Sequence, residues 1–156
     1  MASDAAAIAA LLNHWITDTA ITFAHIAKTP EDIAANIADK AAAGHGFWVA
    51  EAAGQLLGQA SYGQFRANSG YATCMEHSIA LHPGQRGQGL GRAMMAVLEE
   101  HAQQAGAHQM IAGVSGENPE GRAFHERLGY RLVGTVPQAG FKFGRYMDLQ
   151  LMQKFL

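Results

Sequence analysis

The sequence predicts a mixed α/β layer fold, with helices packed on a central sheet. Three observations predict it. Residues 4–44 carry the apolar spacing of helices. From residue 47 the period switches to that of strands around a short turn. From residue 71 onward the order reads strand, helix, strand, helix, strand, strand.

The elements follow in order. Residues 4–16 are a helix: Ser3 or Asp4 caps it, and Ile8, Leu11, Leu12 and Trp15 form one stripe. Thr29-Pro30-Glu31-Asp32 opens a second, with a cap, a first-turn proline and acids at the positive end of the dipole. Its stripe is Ile33, Ile37 and Ala41, and Gly44 stops it. Residues 47–51 and 56–65 flank the turn Ala53-Gly54-Gln55 as an antiparallel hairpin. Residues 71–82 form a further strand that ends at Pro83. Residues 89–105 are a helix with Leu90, Met94, Val97, Leu98 and His101 on one side, closed by Gly106. Residues 109–114 are a buried strand, 120–128 a helix stopped by Gly129, and 130–136 and 147–152 strands. The strand–helix–strand units are expected to be right-handed. No repeat or linker divides residues 1–156, so one domain is expected.

Composition narrows the function. An apolar fraction of 49% excludes a disordered chain. A formal charge of −2 without long basic runs argues against nucleic acid as a main partner. No apolar run approaches the ~20 residues of a membrane span, and Met1-Ala2-Ser3-Asp4 does not begin a secretory signal. A cytoplasmic protein is therefore expected. Cys74 is the one cysteine, which forbids an internal disulfide and reads as a small strand residue rather than a nucleophile. No H-x-x-x-H or H-E-x-x-H pair occurs among the eight histidines, so no metal is expected.

The most informative stretch is Leu81-His82-Pro83-Gly84-Gln85-Arg86-Gly87-Gln88-Gly89-Leu90-Gly91. A strand ends, a glycine-rich turn follows and an amphipathic helix begins. The first amides of a helix lack internal partners and carry partial positive charge, so they hold an anion where no side chain blocks the approach. Arg86 adds a charge-assisted donor. Gly87 and Gly89 are followed by Arg92 rather than glycine, which departs from the dinucleotide fingerprint, and no lysine completes a Walker loop.

Arg86, Gly89 and Gly91 fill the three positions of R/Q-x-x-G-x-G/A, and here the chain resembles the GNAT superfamily of N-acetyltransferases. Further blocks in the same order resemble its phosphinothricin and methionine sulfone acetyltransferase branch. They are residues 60–66 (Ala-Ser-Tyr-Gly-Gln-Phe-Arg), residues 76–83 (Glu-His-Ser-Ile-Ala-Leu-His-Pro), Asn118 with residues 124–130, and residues 140–149 (Gly-Phe-Lys-Phe-Gly-Arg-Tyr-Met-Asp-Leu). Tyr146 replaces the branch's tryptophan. Relatives usually begin with a short strand before the first helix, and here it is expected to be lacking.

The resemblance implies the GNAT fold, a mixed, mostly antiparallel sheet with about four helices on both faces. It implies acetyl-CoA as co-substrate and transfer of the acetyl group to the α-amine of a small amino acid or analogue. Glu76 takes the place of the catalytic base, and His125 that of the acid for the departing thiolate. Main-chain groups of Ile79, Ala80 and Leu81 would bind pantetheine. Arg86, Gly87, Gln88, Gly89, Leu90, Gly91 and Arg92 would hold the pyrophosphate, and Asn118 would contact the cofactor. Arg66, at a strand end, suits a carboxylate or phosphinate, and Ser69, Gly70 and Tyr71 follow it into the acceptor site. Phe65, Lys142, Phe143 and Arg145 are weaker acceptor candidates. The branch implies a homodimer with the C-terminal block near the partner. Other acceptors (a protein N-terminus, a polyamine, an aminoglycoside) and a non-catalytic CoA-binding module stay open.

Overall fold

The computed structural model describes residues 4–156. Its helices are α1 (Ala5–Asp18), α2 (Pro30–Ala42), α3 (Leu90–Gln104) and α4 (Pro119–Arg127). Its strands are β1 (Phe47–Ala52), β2 (Gln55–Gln64), β3 (Cys74–Leu81), β4 (Gln109–Ser115), β5 (Arg131–Lys142) and β6 (Arg145–Phe155). They form one sheet in the order β1-β2-β3-β4-β6-β5. Only the β3–β4 pair is parallel; the other neighbours are antiparallel. No strand precedes α1 among the described residues.

Two apolar clusters lie on the sheet. Tyr62, Met75, Met94, Met95, Leu98, Met110, Tyr130 and Met152 form the larger, under α3. Ala5, Ile8, Ala9 and Ile33 form the smaller, with Phe47, Val49 and Leu56 packed against it. Helices therefore cover both faces.

The helix ends follow the sequence with local corrections. Thr29 and Asp32 form a full capping box at α2. At α1 Asp4 is the N-cap but makes no capping bond through its side chain, and Ser3 lies outside the described residues. Three predicted stripe residues, Ala41, Val97 and His101, are exposed. Val97 is half exposed and Met95 is buried in its place, because the buried face of α3 runs Gly91, Met94, Met95, Leu98, Ala102. Ala41 is exposed at the end of α2.

The largest departure is the last hairpin. Both strands run further than the apolar pattern suggests, to Lys142 and from Arg145. Phe143 and Gly144 both have positive φ and join them as a two-residue turn of the type that matches strand twist. β6 lies between β4 and β5, and Met152 is fully buried. The apolar C-terminal strand is thus an inner one, with Phe155 exposed at its end. The exposed apolar residues of the hairpin are Leu132, Val133, Val136, Phe141, Phe143, Tyr146 and Phe155.

Candidate active site

The site grows from a split in the sheet. β3 pairs with β4 only over Cys74–Glu76, opposite Gln109–Ile111. Pairing of β3 with β2 continues without a break from Met75 to Leu81, so the split needs no bulge in β3. Phe65 N donates to Cys74 O, and His82 N donates to Leu57 O. Ladder bonds alternate along an antiparallel pair. The even-numbered residues of β3 therefore bond to β2, and the main-chain groups of Ile79 and Leu81 face the gap. Ala80 faces β2, which removes its main chain from the expected pantetheine set. One of the facing groups is already used: Trp15 Nε1 donates to Leu81 O at 3.0 Å.

The glycine-rich turn lies at the open end of this gap. Gly89 is the N-cap of α3, with φ +80°, and no side chain caps the first turn. Gly87 also has positive φ. A Cβ on either would meet nothing within 4 Å. Uncapped amides beneath open space are what an anionic group needs. Gly91 serves differently, because a Cβ there would lie 3.0 Å from Phe124 Cε2 and 3.2 Å from Leu81 Cδ1. It lets α3 pack closely, and its side of the helix is buried. Gln88 Nε2 donates to Gly84 O at 2.9 Å and braces the turn. Leu90 is half-buried against the core, whereas Arg92 is exposed. Arg86 is paired with Glu120 and lies over the Trp15 ring, 5.8 Å from its centroid. Asn118 caps α4, its Oδ1 accepting from Gly121 N at 2.9 Å, which leaves its amide donors available.

Glu76 lies on the opposite face of β3 from Met75, Ile79 and Leu81, as alternation requires. It borders a cavity of about 330 Å³ with Lys40, Gly63, Gln64 and Ser78. A Cβ on Gly113 would lie 3.1 Å from Glu76 Oε1, so a glycine inside β4 lets the carboxyl rest against that strand. Among the described residues this carboxyl makes neither a hydrogen bond nor an ion pair. Desolvation raises its pKa above the ordinary value, although Arg66 and Lys40 pull it down.

His125 is buried at 6% exposure. Its Nδ1 lies 2.7 Å from Gly121 O and its Nε2 lies 3.2 Å from His77 Nε2. A carbonyl only accepts, so Nδ1 carries the proton. In the neutral pair Nε2 of His125 therefore accepts from His77. His77 Nδ1 is then a buried acceptor without a partner. Burial holds His77 down to about 3 and lowers His125 as well. The structure thus presents His125 as a neutral, hydrogen-bonded group rather than as a ready acid.

The acceptor candidates lie on the loop between β2 and β3. Arg66, Ser69, Gly70 and Tyr71 are all exposed. Arg66 stacks on Phe65 at 4.6 Å, and Phe65 meets Tyr71 edge-on. Gln64 Nε2 donates to Asn68 O at 2.9 Å and fixes the loop's start. Arg66 is brought within electrostatic range of Glu76. Lys142 and Arg145 are occupied elsewhere. Lys142 is buried and donates to Thr19 O and Thr22 O, and Arg145 pairs with Glu117. The sequence reading missed Lys40, His77 and Gly113. The signal for Gly113 was a glycine inside an apolar strand; a lysine on a helix carries none.

The family model for GNAT acetyltransferases matches residues 9–130. That span holds the split, the glycine-rich turn, Glu76 and His125. The chain belongs to the GNAT acetyltransferase family. It is 41% identical over 130 residues to a methionine sulfoximine/methionine sulfone acetyltransferase of Pseudomonas aeruginosa, covering 81% of this chain and 76% of that protein. It is 35% identical over 151 residues to an L-amino acid N-acyltransferase of Escherichia coli, covering 97% and 88%. This GNAT chain also superposes on a Sinorhizobium meliloti phosphinothricin acetyltransferase solved with acetyl-CoA. The TM-score is 0.94 at 30% identity, covering 100% of this chain and 85% of the other.

Proposed function

We propose that this GNAT chain transfers the acetyl group of acetyl-CoA to the α-amine of a small amino acid or analogue, of the kind its methionine sulfone and phosphinothricin relatives are named for. One observation carries the reading. An unpaired carboxylate, Glu76, stands where β3 leaves β4, on the strand that leads into a helix start whose amides are uncapped.

The residues present suit the cofactor. First-turn amides of α3, with Gly87 and Gly89 leaving them open, receive the pyrophosphate. Arg86 contributes once it leaves Glu120, with Gln88 and Arg92 at the rim. Ile79 and Leu81 offer main-chain groups along the gap, and Asn118 offers its amide donors. Bound acetyl-CoA supplies the thioester that an amine attacks.

The chain's own groups then handle protons and charge. The acceptor amine arrives largely protonated near neutral pH. Glu76 takes that proton, directly or through a water, and its raised pKa brings it nearer to a useful base. A main-chain N–H near Leu81 polarises the thioester carbonyl. His125 is retained as the proton source for the sulfur on one condition: a proton must first enter the His77–His125 pair, because the neutral pair has no free N–H on His125 Nε2. Arg66 faces the carboxylate or the polar head group of the acceptor, with Ser69, Gly70 and Tyr71 on the same loop.

We further propose a single domain over residues 1–156, a homodimer and a cytoplasmic setting. The exposed Phe141, Phe143 and Tyr146 support the dimer, and no helix among the described residues is long and apolar enough to cross a membrane. Thiol release is the test, with acetyl-CoA against free amino acids and their sulfone, sulfoximine and phosphinic analogues. Turnover with these, and none with polyamines or aminoglycosides, is expected. Acetyl-CoA binding without turnover of any amine would instead identify a cofactor-binding module.

A further inference from the structure

We infer that Lys40 binds the α-carboxylate of the acceptor, so that an amino acid bridges the gap between the Lys40 ammonium and the Glu76 carboxylate. This rests on the proposed acetyl transfer at Glu76 and adds to it the residue that recognises the acceptor as an amino acid.

Position comes first. Lys40 lies near the end of α2, is half-buried, and shares the 330 Å³ cavity with Glu76, Gln64 and Ser78. Its Nζ donates to Tyr62 O at 2.8 Å. A Cβ on Gly63 would lie 3.3 Å from that nitrogen, so the glycine makes room for the ammonium against β2. An ammonium has three N–H donors. Tyr62 uses one, and two remain for the cavity.

The separation of charges is the second argument. Lys40 and Glu76 feel each other electrostatically, yet they form neither a hydrogen bond nor an ion pair. A flexible lysine beside a carboxylate ordinarily closes on it. Here the Tyr62 carbonyl holds one partner against β2, and Gly113 lets the other rest against β4. The gap between them is flanked by a cation on one side and an acid on the other. An α-amino acid carries an amine and a carboxylate on one carbon, which is the complementary pattern.

Sign decides against other acceptors. A polyamine or aminoglycoside would bring positive charge against Lys40 as well as Arg66. Arg66 sits on the exposed loop over Phe65. With Lys40 holding the carboxylate, the guanidinium is left for the polar head group of the side chain, to which its planar fork is suited.

The test compares an accepted amino acid with its primary carboxamide, which keeps the amine and removes the negative charge. Wild type should favour the acid by roughly tenfold or more in kcat/KM, the scale of a charge-assisted bond. Lys40→Met should raise KM for the acid by a similar factor, leave KM for the amide within about twofold, and leave the acetyl-CoA Kd unchanged. Lys40→Arg should recover part of the loss. Equal loss on acid and amide would make Lys40 a tuner of Glu76 only and overturn the assignment. So would a wild type indifferent to the carboxylate, a result that stands even if Lys40→Met fails to fold. Failure of wild type to acetylate any amino acid or amide would remove the proposed function itself, and this inference with it.

Discussion

His77 Nε2 lies 3.2 Å from His125 Nε2, and the two rings stack 5.0 Å apart beneath the split in the sheet. Both are neutral in the fold, because burial depresses His125 and holds His77 down to about 3. A histidine whose folded pKa is lowered binds fewer protons than the unfolded chain between its two values. Its contribution is therefore intact above the unfolded value near ~6.5 and is lost as pH falls toward the folded one. Unfolding free energies from urea titrations between pH 7 and pH 4 should decline in wild type. In His77→Gln the slope should shrink by about 1.4 kcal/mol per pH unit, the linkage of one proton. An unchanged slope would mean that the pair shares a proton at neutral pH, the state that the proposed acid role requires.

Glu76→Gln should lower kcat by roughly 10²–10⁴-fold, the usual contribution of a general base, while acetyl-CoA affinity measured by calorimetry stays the same. A base works in its ionised form. Desolvation raises the Glu76 pKa, so the acidic limb of wild-type kcat/KM should lie above the ordinary carboxylate range, and the substitution should remove it. Loss of thermal stability with kcat preserved would make Glu76 structural.

Much of this site was legible in the chain, and the part that was not has a common cause. The glycine spacing, the strand before it and the asparagine cap are local patterns, and local patterns survive in a sequence. The pairing of His77 with His125 spans 48 positions, and that of Lys40 with Tyr62 spans 22. Both depend on which strands become neighbours. The long β5–β6 hairpin was hidden because Gln138, with positive φ, and a register shift between Val136 and Gly140 break the alternation that marks a strand.

Gly89 and Gly91 should separate binding from packing. Gly89→Val places a branched side chain at φ +80° over the α3 amides, so acetyl-CoA Kd should rise by at least tenfold, with a stability cost of about 1–2 kcal/mol. Gly91→Val drives a side chain into Phe124 and Leu81, so it should lower the melting temperature more. Equal effects of the two on Kd would remove the distinction drawn between them.

Lys142 ties the last hairpin to the segment between α1 and α2. The residue is 3% exposed, and its ammonium donates to Thr19 O at 2.7 Å and Thr22 O at 2.9 Å. Phe23 sits against Gly140, where a Cβ would lie 2.4 Å from the ring. Burial lowers the lysine's pKa, and the two carbonyls satisfy its donors in place of water. Lys142→Met keeps most of the volume but leaves both carbonyls without their donor, at about 1–3 kcal/mol for each buried group left unpaired. The melting temperature should fall, and amide exchange across residues 19–25 should quicken while exchange in α3 does not. A lower melting temperature with unchanged exchange in that segment would show that Lys142 stabilises the hairpin alone and that Phe23 on Gly140 suffices to hold the loop.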